Sequence, residues 1–347
     1  MRNLILLFFA VASVQGVILF RTDDPLANTA APTGADANSG WQYEGGWGSF
    51  LGTAFAPHFF LSAAHIGKAD DYFIYQSVAY HIVAPIYDPS SDLVIWEVRE
   101  ELPSFAPLYS RTDEVGQRIM VFGRGTQRGE PVILNDTLKG WLWGPGDSVE
   151  RWGENIVSGI YTYNANNQLL MANFDAAGLP NECHLSSGDS GGAAFLNDGG
   201  FWKLAGINYA VDGPFYNDSL GTGAFYAALF DVSGFYEQDG NNFVPVTGTS
   251  ALYPTRISIK LPWIAATIAR GVAGYENNLL MLTYTQLDLP TSDLVYTVQQ
   301  STDLAAWTPA SATEETLSVN GSTKSVKAKV DVGTKTALFI RLQPSRP

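Results

Sequence analysis

Three short segments carry side chains that together could perform nucleophilic catalysis. They are LSAAH ending at His65, SDLVIW containing Asp92, and SGDSGG containing Ser190. A serine hydroxyl becomes a useful nucleophile when a base removes its proton, and an imidazole acts as that base when a carboxylate orients it. The three residue types therefore predict acyl transfer, with His65 as general base and acid, Asp92 as its orienting partner and Ser190 as nucleophile.

The glycines around Ser190 suit a nucleophile that is exposed on a tight turn. We expect the backbone N–H groups of Gly188 and Ser190 to bind the oxyanion that forms during the reaction. Asp189 suits a different role, which is shaping this loop through a buried ion pair or hydrogen bonds. Taken alone, the same five residues could also form an ordinary glycine-rich turn.

The order of the segments along the chain excludes one other hydrolase architecture. GDSGG also fits the G-x-S-x-G nucleophile elbow, but in that fold the histidine follows the serine. No histidine follows Ser190, because the four in the chain are His58, His65, His81 and His184. His65 fits the role of base, since it ends an apolar run and has small neighbours. Asp88, in the turn before Asp92, is the alternative carboxylate.

The elements that must position these residues are mostly strands. Short apolar runs alternate with Gly, Pro, Asn and Asp, which is typical of an all-β fold. Strands are predicted near 48–55, 58–62, 72–75, 79–84, 93–98, 118–122, 132–134, 137–143, 155–163, 192–196, 202–207 and 223–230. One helix is predicted over Leu261–Arg270, and from about residue 276 shorter β-rich runs predict a small β-sandwich module reaching residue 347.

The composition restricts the class of protein. The 347 residues include 34 acidic and 20 basic side chains, a net charge of -14, which argues against a nucleic-acid partner. Residues 1–16 resemble a secretory signal peptide, so a secreted or periplasmic protein without a membrane span is expected after its removal. A second possible cleavage site lies at 10–12, and a buried N-terminal strand or helix is the alternative.

The sequence also argues against disulfide bonds and against a metal or cofactor site. Cys183 is the single cysteine of the chain, so an intramolecular disulfide is excluded. No group of His, Cys and carboxylate residues has metal-ligand spacing, so neither a metal nor a cofactor is expected.

With these motifs the chain resembles the trypsin-like serine peptidases of chymotrypsin fold, over about residues 41–270. LSAAH is similar to their L-T-A-A-H, DLVI to their D-I-A-L, and GDSGG matches their G-D-S-G-G. The resemblance implies a peptidase domain over 17–270, with antiparallel barrels at about 41–112 and 113–255 and the active site between them. It further implies peptide hydrolysis through an acyl-enzyme. The C-terminal part, with STDL-x-x-W at 301–307, resembles a module of secreted bacterial proteins whose partner is unknown.

The resemblance also implies positions for substrate contacts and for activation. It places His184 at the base of the specificity pocket, with Asn208, Tyr209, Ala210 and Gly223 on its walls. Because no Asp lies at the base, a trypsin-like preference for Arg or Lys is not expected; His184 could accept an acidic or polar side chain or simply pack. Cleavage after Gly16 would free the amine of Val17, which could pair with Asp189. A catalytically silent binding protein and an esterase on the same scaffold are the alternatives to a serine endopeptidase that acts on proteins or peptides.

Overall fold

The computed structural model describes residues 16–269, 271–289 and 293–345, and strands dominate these ranges. Up to residue 184 the strands are β1 (Ile18–Leu19), β2 (Glu44–Trp47), β3 (Phe50–Ala56), β4 (Phe59–Ala63), β5 (Tyr72–Tyr75), β6 (Val78–Tyr87), β7 (Leu93–Val98), β8 (Arg118–Gly123), β9 (Thr126–Leu134), β10 (Thr137–Gly146), β11 (Arg151–Asn164), β12 (Asn167–Asn173) and β13 (Cys183–His184).

After residue 190 the elements are β14 (Ala193–Asp198), β15 (Phe201–Val211), β16 (Ala227–Leu229), β17 (Tyr236–Asp239), β18 (Asn242–Pro245), β19 (Ala251–Arg256), α1 (Leu261–Ile268), β20 (Val272–Glu276), β21 (Leu279–Leu287), β22 (Val295–Ser301), β23 (Thr308–Pro309), β24 (Ala312–Asn320), β25 (Thr323–Asp331) and β26 (Phe339–Ser345). Short 3-10 turns lie at Gly34–Asp36, Trp41–Tyr43 and Ala64–Ile66.

The first barrel is closed by six antiparallel strands in the order β2-β3-β4-β7-β6-β5. Apolar residues on alternate positions of β5 turn inward, so Phe73 and Tyr75 are buried while Tyr72 and Ile74 are exposed. Phe73 stacks on Phe60 of β4 with ring centroids 4.1 Å apart. An aromatic core therefore fills this barrel.

The second barrel is closed by six strands in the order β11-β12-β19-β15-β14-β8. Its interior is aliphatic, with Val121, Leu170, Leu196 and Leu252 all buried in one cluster. Strand β19 lies between β12 and β15, so this barrel closes only through a segment late in the chain.

A third apolar cluster joins the two barrels to the helix. It contains Leu51 and Phe55 of the first barrel, Phe122 and Phe195 of the second, and Ile264 of α1. Pro262 lies in the first turn of this helix, where a proline is tolerated. The barrels are thus fixed against each other by a shared core, and this confirms the predicted all-β class with two barrels and a terminal helix.

The C-terminal part is a small sandwich of two sheets. Their strand orders are β20-β21-β25-β24 and β23-β22-β26. Leu282 and Val326 of the larger sheet are buried in one cluster with Val298 of the smaller sheet. The first strand begins at Val272, four residues before the predicted boundary at 276, because the chain turns into this sheet directly after α1.

Some details differ from the sequence-based expectations. The predicted strand over 223–230 is reduced to Ala227–Leu229, since Gly223 takes a positive φ of 65° in the loop before it. Residues 1–15 of the predicted signal peptide lie outside the described residues, as does Arg270 at the predicted end of the helix. Within the described ranges, no helix has the length and apolarity that a membrane crossing requires.

Candidate active site

His65 and Asp92 are brought together by the pairing of two strands. β4 pairs with β7 at Ala63↔Leu93, so the residues just beyond that pair lie side by side. The carboxylate of Asp92 then accepts two hydrogen bonds from His65: one from its backbone N–H at 2.9 Å and one from Nδ1 at 2.6 Å. Because Nδ1 carries the proton in this arrangement, Nε2 is free to act as a base.

Ser190 reaches the same imidazole from the second barrel. Its Oγ lies 2.9 Å from Nε2 of His65, within hydrogen-bond distance. The side chain of Asp92 is 15% exposed and that of His65 is 44% exposed, so the carboxylate is shielded while the base faces solvent. The three predicted residues therefore form one continuous relay between the barrels.

The loop that carries Ser190 depends on its glycines. Gly188 has a φ of 97° and Gly191 a φ of 82°, conformations that a residue with a Cβ rarely adopts. A Cβ on Gly192 would lie 2.2 Å from the carbonyl oxygen of Phe122. Among the described residues, no hydrogen bond uses the backbone N–H of Gly188 or of Ser190, so both donors are available.

Asp189 anchors this loop from inside the protein. Its carboxylate accepts hydrogen bonds from the backbone N–H groups of Gly125 at 2.7 Å, Ser186 at 2.7 Å and Val17 at 3.3 Å. Burial raises the pKa of Asp189 to about 6, although these bonds act in the opposite direction. Asp189 is thus bonded to three segments of the second-barrel region and to no triad side chain.

Asn208 and Tyr209 support the site, and the sequence prediction included both. The side-chain amide of Asn208 donates to the carbonyl oxygens of Phe122 at 2.8 Å and Asp189 at 3.2 Å, which ties β15 to the Ser190 loop. The ring of Tyr209 lies 5.9 Å from that of His65. Asn208 is therefore buried below the site, whereas Tyr209 lies at its surface.

A pocket of about 310 Å³ opens beside Ser190. Three of the residues predicted for the pocket walls line it, Asn208, Tyr209 and Ala210, together with Leu185 and Val211. Trp143 and Tyr226 form one wall, with their rings stacked 4.6 Å apart. The sequence prediction missed this pair, because 83 residues separate them and only the pairing of β10 with β16 brings them together.

Two of the predicted pocket residues lie elsewhere. His184 does not form the pocket base: it is fully buried, with Nε2 3.1 Å from Oγ of Ser250 and its ring against Phe174. Burial lowers the pKa of His184 to about 4, so the ring stays neutral. Gly223 is exposed in the loop before β16 and does not line the pocket.

A larger cavity of about 610 Å³ adjoins this pocket, and the two share Ala210 and Val211. Three tyrosines line it, with the rings of Tyr161 and Tyr253 5.9 Å apart. Two carboxyl groups, those of Asp212 and Glu237, also line it. Burial raises the pKa of both, and in Glu237 the nearby charge of Asp212 adds to the effect.

Comparison with known proteins gives matches among solved structures. No protein-family model matches the chain, and no curated protein matches its sequence. The active form of the protease Rv3671c from M. tuberculosis is 13% identical with a TM-score of 0.32, over 46% of this chain and 62% of that chain. Kallikrein-related peptidase 10 is 13% identical with a TM-score of 0.35, over 67% and 98% of the respective chains.

The HtrA-type protease AlgW, whose structure contains a decapeptide, is 11% identical with a TM-score of 0.36, over 86% of this chain and 83% of that chain. The architecture itself is decisive for the fold. The chain forms two closed six-stranded antiparallel barrels, followed by one short helix. His65 and Asp92 lie on the first barrel and Ser190 lies on the second. This chain has the chymotrypsin-like fold.

Proposed function

We propose that this protein is a serine endopeptidase that hydrolyses peptide bonds through an acyl-enzyme intermediate. One observation carries the proposal: the unbroken relay in which Asp92 Oδ2 lies 2.6 Å from His65 Nδ1 and His65 Nε2 lies 2.9 Å from Ser190 Oγ. Both distances are within hydrogen-bond reach, as a nucleophile and its base require.

The reaction follows from these positions. Ser190 Oγ attacks the carbonyl carbon of the peptide bond while Nε2 of His65 takes its proton. The backbone N–H groups of Gly188 and Ser190 stabilise the resulting oxyanion. When the C–N bond breaks, His65 returns the proton to the leaving amine and an ester to Ser190 remains. Water then attacks that ester with the same base, which releases the acid and restores the hydroxyl.

The free edge of β15 supports a peptide as the substrate. β14 pairs with β15 only as far as Ala193↔Ile207, whereas β15 continues to Val211 on its other side along β19. The segment 209–211 therefore offers an unpaired edge next to Ser190, to which an extended peptide can add as a strand. The pocket beside it has an aromatic wall, which suits an uncharged side chain at the cleaved bond.

Localisation and domain organisation form the remaining part of the proposal. The positively charged start and short apolar run of residues 1–16 support a signal peptide, and hence a secreted or periplasmic enzyme. A peptidase domain over 17–270, followed by a C-terminal module of bacterial secreted type that was predicted from 276 and whose first strand begins at Val272, completes this assignment. N-terminal sequencing of the exported protein tests it, because a mature chain that still begins at Met1 contradicts the signal peptide.

Fluorophosphonate labelling tests the nucleophile. We expect the wild-type protein to be labelled at Ser190, and the Ser190→Ala and His65→Ala variants to remain unlabelled. Asp92→Asn should react on the order of 10⁴-fold more slowly, as an imidazole held in the wrong tautomer does. Correctly folded wild-type protein that does not react would instead support a silent binding protein. Labelled protein that cleaves a small chromogenic ester but no protein substrate would support an esterase.

A further inference from the structure

Lys260 lies buried between the two barrels, where it contacts the turn that precedes Asp92 but is not part of the relay. It is the residue immediately before α1, and its side chain is only 3% exposed. Nζ lies 2.6 Å from Oδ2 of Asp88, whose side chain is also 3% exposed. A buried ammonium group without a partner is strongly destabilising. The Asp88 carboxylate therefore compensates the buried charge of Lys260.

Asp88 begins the turn that leads into Asp92. Its carboxylate accepts hydrogen bonds from the backbone N–H of Ser90 at 3.2 Å, from Oγ of Ser90 at 3.0 Å and from the hydroxyl of Ser91. Its own backbone N–H donates to the carbonyl oxygen of Leu93 at 2.9 Å. These hydrogen bonds fix the turn from Asp88 to Ser91, which leads directly to Asp92.

Lys260 also holds this turn against the second barrel. Nζ donates to Oγ of Ser90 at 3.0 Å and to the carbonyl oxygen of Asn166, which lies in the hairpin between β11 and β12. Ser90 Oγ lies 3.3 Å from the same carbonyl oxygen. One ammonium group therefore joins the turn before Asp92, which belongs to the first barrel, to a hairpin of the barrel that carries Ser190.

We propose that Lys260 is a positioning residue for the catalytic relay, which it serves by fixing the Asp88–Ser91 turn, and hence the Asp92 carboxylate, against the second barrel. The inference rests on the proposed function for its kinetic consequence, but its structural consequence is independent of activity. Asp92 makes two hydrogen bonds to His65, so a shift of its turn alters the orientation of the imidazole. A displacement of about 1 Å at such a group can cost on the order of 100-fold in rate.

The test compares full-length Lys260→Met with wild type, using Lys139→Met as the matched control. Lys139 also forms a mostly buried lysine–aspartate pair, with Asp231, and lies on β10, where it contacts no residue of the triad. Two quantities are measured: the fluorophosphonate reaction rate, and the ¹⁵N-edited NMR signal of the proton on Nδ1 of His65, assigned with His65→Ala. Thermal unfolding is followed for all variants.

We expect Lys260→Met to slow the fluorophosphonate reaction about tenfold or more and to shift or broaden the His65 proton signal, and Lys260→Arg to restore part of both. Lys139→Met should leave both quantities at the wild-type level even where its Tm falls. If Lys260→Met does not fold, Lys260→Gln provides the same readouts, because it keeps a polar side chain of similar length but removes the charge that pairs with Asp88. An unchanged rate and signal in folded Lys260→Met or Lys260→Gln would overturn the proposal. Unlabelled wild type with a signal that still depends on Lys260 would overturn only the peptidase function.

Discussion

The backbone N–H of Val17 donates to Oδ1 of Asp189 over 3.3 Å, and both residues are buried. β1 places Val17 there through the pairing of Ile18 with His184. The residue that accepts this bond directly precedes Ser190. Any change in the charge of the Val17 nitrogen is therefore transmitted to the loop that supplies the nucleophile and the oxyanion donors.

Release of the Val17 amine should increase reactivity. Cleavage between Gly16 and Val17 would turn the amide N–H into an ammonium group beside the buried carboxylate, and this would lower the pKa of Asp189 from about 6. A chain that starts at Val17 should react with fluorophosphonate on the order of tenfold faster than one extended by residues 1–16. The activity of this chain should also persist to lower pH than that of the extended chain, because the Asp189 carboxylate stays ionised at lower pH.

The control is Asp189→Asn in both chains, which should abolish the difference between them. Edman sequencing establishes which N-terminus each preparation carries. Equal rates for the two chains would show that the Val17–Asp189 contact has no role in activation.

Gly191→Ala should disrupt the nucleophile loop. A Cβ there would lie 2.3 Å from Oγ of Ser62 and 2.7 Å from the carbonyl oxygen of Leu51, at a φ of 82°. We expect a loss of about 2–4 kcal/mol in the free energy of unfolding and loss of labelling at Ser190. Gly199→Ala is the matched control: its φ is also positive, at 62°, but a Cβ meets nothing within 4 Å. Urea denaturation compares the two, and equal losses would contradict the steric explanation.

His184 should make a contribution to stability that increases with pH between about 4 and 6.5, opposite in sign to that of Asp189, whose pKa burial raises to about 6. Burial lowers the pKa of this imidazole from 6.5 to about 4, so across that range the unfolded chain binds more protons than the folded one. The contribution is on the order of 3 kcal/mol and is fully present above pH 6.5. Chemical denaturation at several pH values should show that stability rises less, or falls more, with pH in His184→Gln than in wild type, because the variant lacks this positive contribution. His81→Gln, at a histidine whose side chain is 43% exposed, should retain it.

Substrate residues that reach the acidic cavity should be preferentially basic. Asp212 and Glu237 line the cavity with Tyr253, whose hydroxyl donates to Asp212 at 2.8 Å, and no Lys or Arg of the described ranges lines it. Peptides with Lys or Arg a few residues from the cleaved bond should lose about threefold to tenfold in kcat/KM in Glu237→Gln. The preference should weaken at acidic pH, where the carboxyl groups are neutral.

Peptide libraries with Gln in place of the basic residue provide the reference for that measurement. Glu276→Gln, on an exposed strand of the C-terminal sandwich, is the matched control variant. A basic preference that survives in Glu237→Gln would place the recognition of the cation elsewhere.

The C-terminal sandwich should stabilise the peptidase domain directly. Leu287 of β21 is 3% exposed and belongs to the same apolar cluster as Ile264 and Ile268 of α1. Leu287→Ala should therefore reduce the free energy of unfolding by about 2–5 kcal/mol. Leu317→Ala, at a side chain of β24 that is 44% exposed, should change it by less than about 0.5 kcal/mol. Thermal and urea unfolding would settle the comparison.

Much of the fold could be predicted from local patterns. Tyr72–Tyr75 and Leu93–Val98 were predicted with the bounds that the structure shows, because each is a short apolar run that polar residues bound on either side. β12 and β19 were missed. Leu169–Met171 is a short apolar run among polar residues, and Pro254 within β19 argues against a strand, yet it lies opposite Asn208 beside a register shift that accommodates it.

The candidate site was likewise predictable only in part. His65, Asp92 and Ser190 could be identified because each lies in a short local motif and the order of the three is informative. The pocket could not be predicted as well, since Trp143 and Tyr226 meet only through tertiary pairing and His184 turns inward to Ser250. Lys260 carries no motif at all, and its role depends on a turn and a hairpin that are distant in sequence.

The late position of β19 determines when the site can form during synthesis. A chain that has emerged only as far as residue 250 can already pair β4 with β7 and bring His65 to Asp92, but the barrel that carries Ser190 still lacks the strand between β12 and β15. Lys260 and α1 follow later still. A ribosome-bound chain or a premature termination product therefore contains the His65–Asp92 pair without a correctly held nucleophile, so hydrolytic capacity arises only when the domain is almost fully made.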